Sequence, residues 1–110
     1  MLLDDILEDF PCKIAHTQFV RAPKGEPFAV WVDDIECSGV DERPSSVRTH
    51  SVTIGFYEHI DDAEGTAASI ELLLDSFGLA WSKQDRTWFN DEQLYQTVYT
   101  FEFRETRRLG

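Results

Sequence analysis

Apolar residues between positions 63 and 77 recur at spacings of three and four, the period of one face of a helix. The stripe consists of Ala63, Ala67, Ile70, Leu73, Leu74 and Phe77. Asp61 is a suitable N-cap, and Glu64 three residues later completes a capping box. Gly78 stands where a left-handed residue commonly ends a helix. The pattern therefore predicts one long amphipathic helix over about residues 62–77.

Alternation of apolar with polar residues predicts the strands, because neighbouring side chains of a strand point to opposite faces. Val52, Ile54 and Phe56 alternate with small or polar residues just before the helix. Residues 28–32 are β-branched, aromatic or small, and Asp33-Asp34 is expected to end that strand. Weaker strands are predicted at 14–21 and from 79–82, and residues 87–89 either continue the latter strand or begin a new one. The longest, 94–104, has one face formed by Tyr95, Thr97, Tyr99, Phe101 and Phe103.

These elements predict one α+β domain over residues 1–110. The expected architecture is a two-layer sandwich, with one long helix and a short N-terminal helix (2–10) on a mostly antiparallel sheet of four to five strands. Residues 34–45 are interpreted as the protruding tip of a long hairpin, or equally as a plain surface loop. Residues 105–110 are expected to be a frayed tail.

The charge of the chain narrows its possible partners. The formal net charge is −11, and a surface of that sign repels phosphate, so we expect no specific nucleic-acid binding. No apolar run approaches the roughly 20 residues of a membrane span, and no export signal is evident. Cys12 and Cys37 are far apart in sequence and outside any metal-binding motif. We expect them to be reduced in a cytoplasm, with a disulfide between them as the alternative.

No catalytic motif, cofactor site or metal site is found in the sequence, so we expect the protein not to be an enzyme. The histidines are His16, His50 and His59, and none belongs to an HExxH motif. His50 is expected to point at solvent or to fill a polar sheet face. A metal enzyme centred on His59, Asp61 and Asp62 remains an alternative, although helix capping already explains the two aspartates.

The surplus of aromatic residues points to an interface. Trp31 lies between Val30 and Val32, so both faces of its strand carry apolar groups and both need cover. The short N-terminal helix or a neighbouring subunit could cover the second face. The candidate interface residues are Trp31, Asp33, Asp34, Glu36, Val40, Asp41, Glu42, Arg43, Trp81 and Trp88.

Four segments in this order resemble the small neck and tail-completion proteins of long-tailed bacteriophages and prophages, of the tail-terminator or head–tail joining type. They are F-A-V-W at 28–31, V-T-I-G-F-Y at 52–57, L-L-L-D-S-F-G-L at 72–79 and E-Q-L-Y-Q-T-V-Y-T-F at 92–101. The resemblance spans about residues 28–103. It consists of strand alternation and helix periodicity and includes no catalytic signature.

The resemblance implies a structural role without active-site residues. Such proteins assemble as a ring, expected here to be a hexamer, that caps the tail tube protein and meets the head connector protein. The location implied is the virion neck, with the host bacterial cytoplasm as the place of assembly. The alternative from a different class is a small acidic binding protein that imitates DNA or inhibits a basic partner.

Overall fold

The computed structural model describes residues 2–17, 26–38, 45–59, 65–90 and 93–108. Within these ranges the chain forms two helices and six strands. They are, in chain order, α1 (Leu2–Glu8), β1 (Lys13–His16), β2 (Phe28–Ser38), β3 (Ser45–His59), α2 (Gly65–Ser76), β4 (Trp81–Lys83), β5 (Thr87–Phe89) and β6 (Leu94–Arg108).

The strands form one mixed sheet in the order β1-β2-β3-β6-β4, with β5 also paired to β6. β1 runs parallel to β2, and the remaining pairings are antiparallel. β3 and β6 have fifteen residues each, and at about 3.3 Å per residue each spans about 50 Å. These two strands therefore set the long axis of a molecule that measures 54 × 28 × 23 Å.

Both helices pack on the same face of the sheet, which we call the covered face. The hydrophobic core between them consists of Leu3, Ile6, Ala29, Val52, Ile54, Phe56, Ile70, Leu74, Tyr99 and Phe101. The registers Ala29↔Phe56 and Ile54↔Tyr99 place the sheet residues of this core side by side. The possibility that α1 covers the second face is therefore wrong, and we call that second face the open face.

The sheet is longer than its helical cover. α2 has twelve residues and α1 has seven, which correspond to about 18 Å and about 10 Å of helix. Beyond the buried His50, the three long strands continue together as residues 35–38, 45–49 and 103–108, which we call the arm. Ile35 lies on the covered face of the arm and is 46% exposed, as expected where the helical layer stops.

The α+β class and the main elements are confirmed, but several boundaries need correction. The sheet has six strands in the described ranges, where four to five were predicted. α2 is described over Gly65–Ser76, so the helix predicted over 62–77 ends one residue earlier than expected. Residues 62–64 and the predicted caps Asp61 and Glu64 lie outside the described residues. Gly78 does adopt the left-handed conformation at φ 71°, and its N–H donates to the Asp75 carbonyl at 2.9 Å, as the helix-end prediction required.

Two segments predicted to be irregular belong to the sheet. Residues 34–38 continue β2 and residue 45 already begins β3, so only 39–44 of the predicted tip lie outside the described residues. Residues 105–108 complete β6 and are not a frayed tail. The physical reason is cross-strand pairing, since β3 supplies a continuous partner from Phe28↔Tyr57 to Ser38↔Val47 and from Ser45↔Arg108 to His59↔Leu94.

Two leucines of α2 offer a direct test of this packing. Leu74 is 0% exposed and Leu72 is 69% exposed. Leu74→Ala is expected to lower the free energy of unfolding by about 2–5 kcal/mol, because it leaves a cavity in the core. The matched change Leu72→Ala should stay within about 0.5 kcal/mol. Urea unfolding measures both, and equal losses would show that α2 does not pack as described.

Candidate functional site

The open face is the candidate interaction surface. Residues that are directly opposite one another on β2, β3 and β6 form rows of side chains across this face. The central row consists of Val30, Gly55 and Val98. The next row places Val32 beside Thr53 and Thr100. No helix of the described residues covers these rows, because both helices contribute to the core on the other side.

Tyr57 makes the middle of the open face flat. A Cβ at Gly55 would lie 3.5 Å from Cε2 and 3.6 Å from the hydroxyl of Tyr57, so the tyrosine ring lies over the glycine backbone. The ring stacks on Phe28 with centroids 5.0 Å apart, and its hydroxyl accepts a hydrogen bond of 2.8 Å from Gln96 Nε2. Held from two sides, Tyr57 fills the space that the glycine leaves.

The neighbouring rows are small, β-branched and hydroxyl-rich. Ser82 Oγ and Thr100 Oγ1 are 2.7 Å apart, and Ser51 Oγ donates to Glu102 Oε1 at 3.2 Å. Flat β-faces of such side chains can pack closely against a second surface. A shallow depression of about 530 Å³ lies among these side chains, lined by Ser51, Thr53, Ser82, Thr100 and Glu102. It is open to solvent along the sheet, and its hydroxyl-rich lining can accept side chains of a protein partner.

Charge separates the arm end of the open face from its middle. Asp34 and Glu36 on β2 and Glu102 on β6 are exposed there, and Arg104 is the exposed cation beside them. The open face therefore passes from an apolar and hydroxyl-rich middle to a charged end over the arm.

The three tryptophans all lie on the covered face, and none is fully enclosed. Trp31 stacks on His16 with ring centroids 4.2 Å apart. Trp81 donates from Nε1 to Asp75 Oδ1 at 2.8 Å, and Trp88 packs against Tyr95 at 4.7 Å. Each is half-buried, so each keeps some surface for a partner. Val40, Asp41, Glu42 and Arg43 lie outside the described residues.

Asp33, a candidate interface residue, instead bonds inside the protein. Its Oδ2 lies 2.6 Å from Nδ1 of His50, and the side chains are 8% and 2% exposed. The expectation that His50 faces solvent or a polar sheet face is therefore wrong: it lies on the covered face and stacks on Phe103 at 4.4 Å. Ser51 belongs to the opposite face, so it cannot complete a catalytic triad with this pair.

A second polar group lies at the other end of the covered face, around a cavity of about 330 Å³. Glu58 is 8% exposed and accepts a hydrogen bond from Arg86, whose guanidinium also lies 3.9 Å from the centre of the Tyr95 ring. Glu71 accepts from Tyr99 at 2.9 Å and from Lys83 at 3.1 Å. Each buried or half-buried carboxylate here already has a cationic partner, which suits a structural role.

Sequence reasoning missed His50 and Glu58, although a signal was present. Both continue the even-numbered series of Val52, Ile54 and Phe56, so strict alternation along β3 places them on the covered face. Polar residues in apolar positions of a strand pattern are buried and need hydrogen-bond partners. Asp33 and Arg86 are those partners.

The described residues contain no group of three or more His, Cys, Asp and Glu side chains arranged to hold a metal ion. Asp61 and Asp62, proposed with His59 as metal ligands, lie outside the described ranges. Cys12 is a free thiol. Burial, with a smaller effect of Glu26, raises the pKa of that thiol to about 12, so Cys12 is not a reactive nucleophile at neutral pH.

Comparisons with known proteins assign no family. No protein-family model matches the chain, and no curated protein matches it. Neither helix in the described part of the chain has the length and apolar character that crossing a bilayer requires.

The His50–Asp33 pair can be tested against a neighbouring carboxylate. Asp33→Ala leaves the buried imidazole without the bond from Asp33, and we expect a loss of about 1.5–3 kcal/mol in the free energy of unfolding. Asp34→Ala is the matched control, because Asp34 is exposed on the other face, and should change stability by less than about 0.5 kcal/mol. Equal effects in urea unfolding would argue against a structural role for the pair.

Tyr99 should make the protein sensitive to alkali. Burial, and then the hydrogen bond to Glu71, raise the pKa of the Tyr99 phenol well above its ordinary value. The folded protein therefore keeps the phenol protonated where the unfolded chain, with a pKa of about 10, loses the proton. This contribution to stability is complete below about pH 10 and is lost as the pH rises further.

Tyr99→Phe is therefore expected to reduce the decline in the free energy of unfolding above about pH 10. Tyr57→Phe is the control, because it retains Tyr99 and must keep the steeper decline. All three proteins retain Cys12, so the difference between their pH profiles isolates Tyr99. An unchanged profile in Tyr99→Phe would contradict the assignment.

Proposed function

We propose that this chain is a structural protein of the neck of a long-tailed bacteriophage or prophage. In this role it completes the tail and joins it to the head connector. Copies of the chain form a ring, a hexamer in the assembled particle, that contacts the tail tube protein on one side and the connector protein on the other. The proposal involves no catalysis, no cofactor and no specific contact with nucleic acid.

The observation that carries the proposal is the one-sided cover of the sheet. Both helices lie on the covered face, while Val30, Val98, Thr53 and Thr100 on the open face have no layer over them among the described residues. A mostly antiparallel sheet can leave one face in water, but Val30 and Val98 place apolar side chains in the central row of this face. Burying them against a neighbour would stabilise the assembly. A protein partner is the simplest source of that cover.

The arm supports the same role. It carries three strands beyond the end of the helical layer, and an element of that kind can reach an adjacent molecule without disturbing the core. Exposed, strand-rich extensions of small domains are frequently used for contacts between proteins.

The segments that carry the phage resemblance also form the framework of the fold. They lie in β2, in β3, at the end of α2 and in β6, where they supply the core residues Ala29, Ile54, Leu74 and Tyr99. The proposed relationship thus concerns the central sheet and its helix, and does not depend on peripheral loops.

The proposal is tested by electron microscopy of the protein mixed with tail tubes that have been assembled without a terminator. The wild-type chain should cap one end of each tube. Thr53→Arg places a guanidinium in the middle of the open face, and we expect it to reduce the fraction of capped tubes by about tenfold or more. Leu72→Arg is the matched control on the exposed side of α2, and it should cap normally.

Tubes left bare by the wild-type protein would contradict the proposal. If the protein instead bound a basic enzyme and left tail tubes bare, the acidic binding protein would become the better assignment. The exposed carboxylates of Asp34, Glu36 and Glu102 would then be the first residues to change.

A further inference from the structure

The outer edge of β2 in the arm has backbone groups without partners among the described residues. β1 pairs with β2 only as far as Trp31, and the last bond on this side joins the Thr17 N–H to the Trp31 carbonyl at 2.9 Å. Successive residues of a strand direct their N–H and C=O groups to opposite edges. Asp33, Ile35 and Cys37 therefore direct their backbone groups outward, as Trp31 does, and no described strand lies beside them.

This edge lacks the features that usually prevent the addition of a strand. Proteins protect their sheet edges with prolines, lysines, bulges or a covering segment. Residues 32–38 contain no proline and no lysine, and they pair with β3 in register without a bulge. An edge of this kind is a template for β-strand addition, in which main-chain hydrogen bonds supply affinity and side chains supply specificity.

The side chains along the edge indicate the chemistry of the added strand. Asp34 and Glu36 are exposed on the open face, and neither forms an ion pair with a described residue. Ile35 between them lies on the covered face and is 46% exposed. A strand that places basic side chains beside the two carboxylates and an apolar one beside the isoleucine therefore complements both faces of the edge.

The position of β1 limits the length of the added strand. Because β1 lies beside the first residues of β2, an added strand has room beside residues 33–37. Antiparallel pairing is the more stable form, and in it directly opposite residues can exchange both hydrogen bonds. The first, third and fifth residues of a five-residue strand then bond to the outward-directed residues of β2. Its second and fourth residues lie opposite Glu36 and Asp34.

We propose that the edge of β2 at residues 33–37 binds, as an added antiparallel strand, an extended segment of a second protein in which basic and apolar residues alternate. The net charge of −11 favours encounter with such a partner. The contact uses a strand edge rather than the open face, and it does not depend on the proposed role at the neck.

A capped pentapeptide, acetyl-Val-Lys-Val-Lys-Val-amide, tests the contact in an NMR titration of the full chain at low salt. The backbone amide signals of Ile35 and Cys37 should shift as the peptide is added. Methylation of the three valine N–H groups removes the donors that face β2, and we expect at least about tenfold lower affinity. The peptide methylated on its lysine N–H groups is the matched control, because those groups face away from β2, and it should bind normally.

Charge reversal on the protein tests the same contact from the other side. The double variant Asp34→Lys and Glu36→Lys should bind the lysine peptide at least about tenfold more weakly and should prefer the same peptide with glutamate in place of lysine. Glu8→Lys with Asp9→Lys makes the same change in net charge at exposed positions away from this edge, and it should keep the preference for lysine. Urea unfolding confirms that both variants are folded.

Equal affinity of the two methylated peptides would overturn the inference, because attraction between charges would then explain the binding without strand addition. Weaker binding of the lysine-methylated peptide would contradict the antiparallel arrangement. Shifts confined to other surfaces would also overturn the inference. The same holds if the wild type bound no peptide and self-associated through residues 33–37, since the occupant of the edge would then be a second copy.

Discussion

The structure depends on the period-two alternation along β3, which holds for fifteen residues without a bulge. Successive side chains of a strand point to opposite faces. Val52, Ile54 and Phe56 are therefore buried together, and the side chains of the residues between them lie on the open face. β2 and β6 follow the same phase through continuous pairing. The helices then need only one surface, and the core is built on that side alone.

This arrangement explains why the covered face contains both the apolar core and the buried polar residues of β3. Tyr99 and Phe56 fill the middle of the core, while Glu58 and His50 lie at its two ends on β3 with Arg86 and Asp33 as partners. A polar side chain at the edge of the helical layer loses its contact with water, although it is not in the middle of the apolar core. It therefore needs a partner of its own.

Sequence patterns predicted most of the framework, since strand alternation and helix periodicity are local properties. The apolar series around Ile54, the aromatic face around Tyr99 and the left-handed Gly78 were all predicted correctly. Asp33-Asp34 was mistaken for a strand end, because two acidic residues disfavour a strand locally while pairing with β3 over a long distance in sequence overrides that preference. The position of α1 and the burial of His50 depend on tertiary packing, which no short segment encodes.

The bond between His50 and Asp33 also favours one register of β2 against β3. Asp33 is cross-strand from Val52, and His50 from Ile35, so the two polar side chains meet diagonally on one face. Sliding β2 by a single residue against β3 would turn Asp33 to the open face and leave the imidazole among hydrocarbon. An apolar pair in the same places would tolerate such a slip more readily. The arm therefore has one favoured alignment even where the helical layer no longer restrains it.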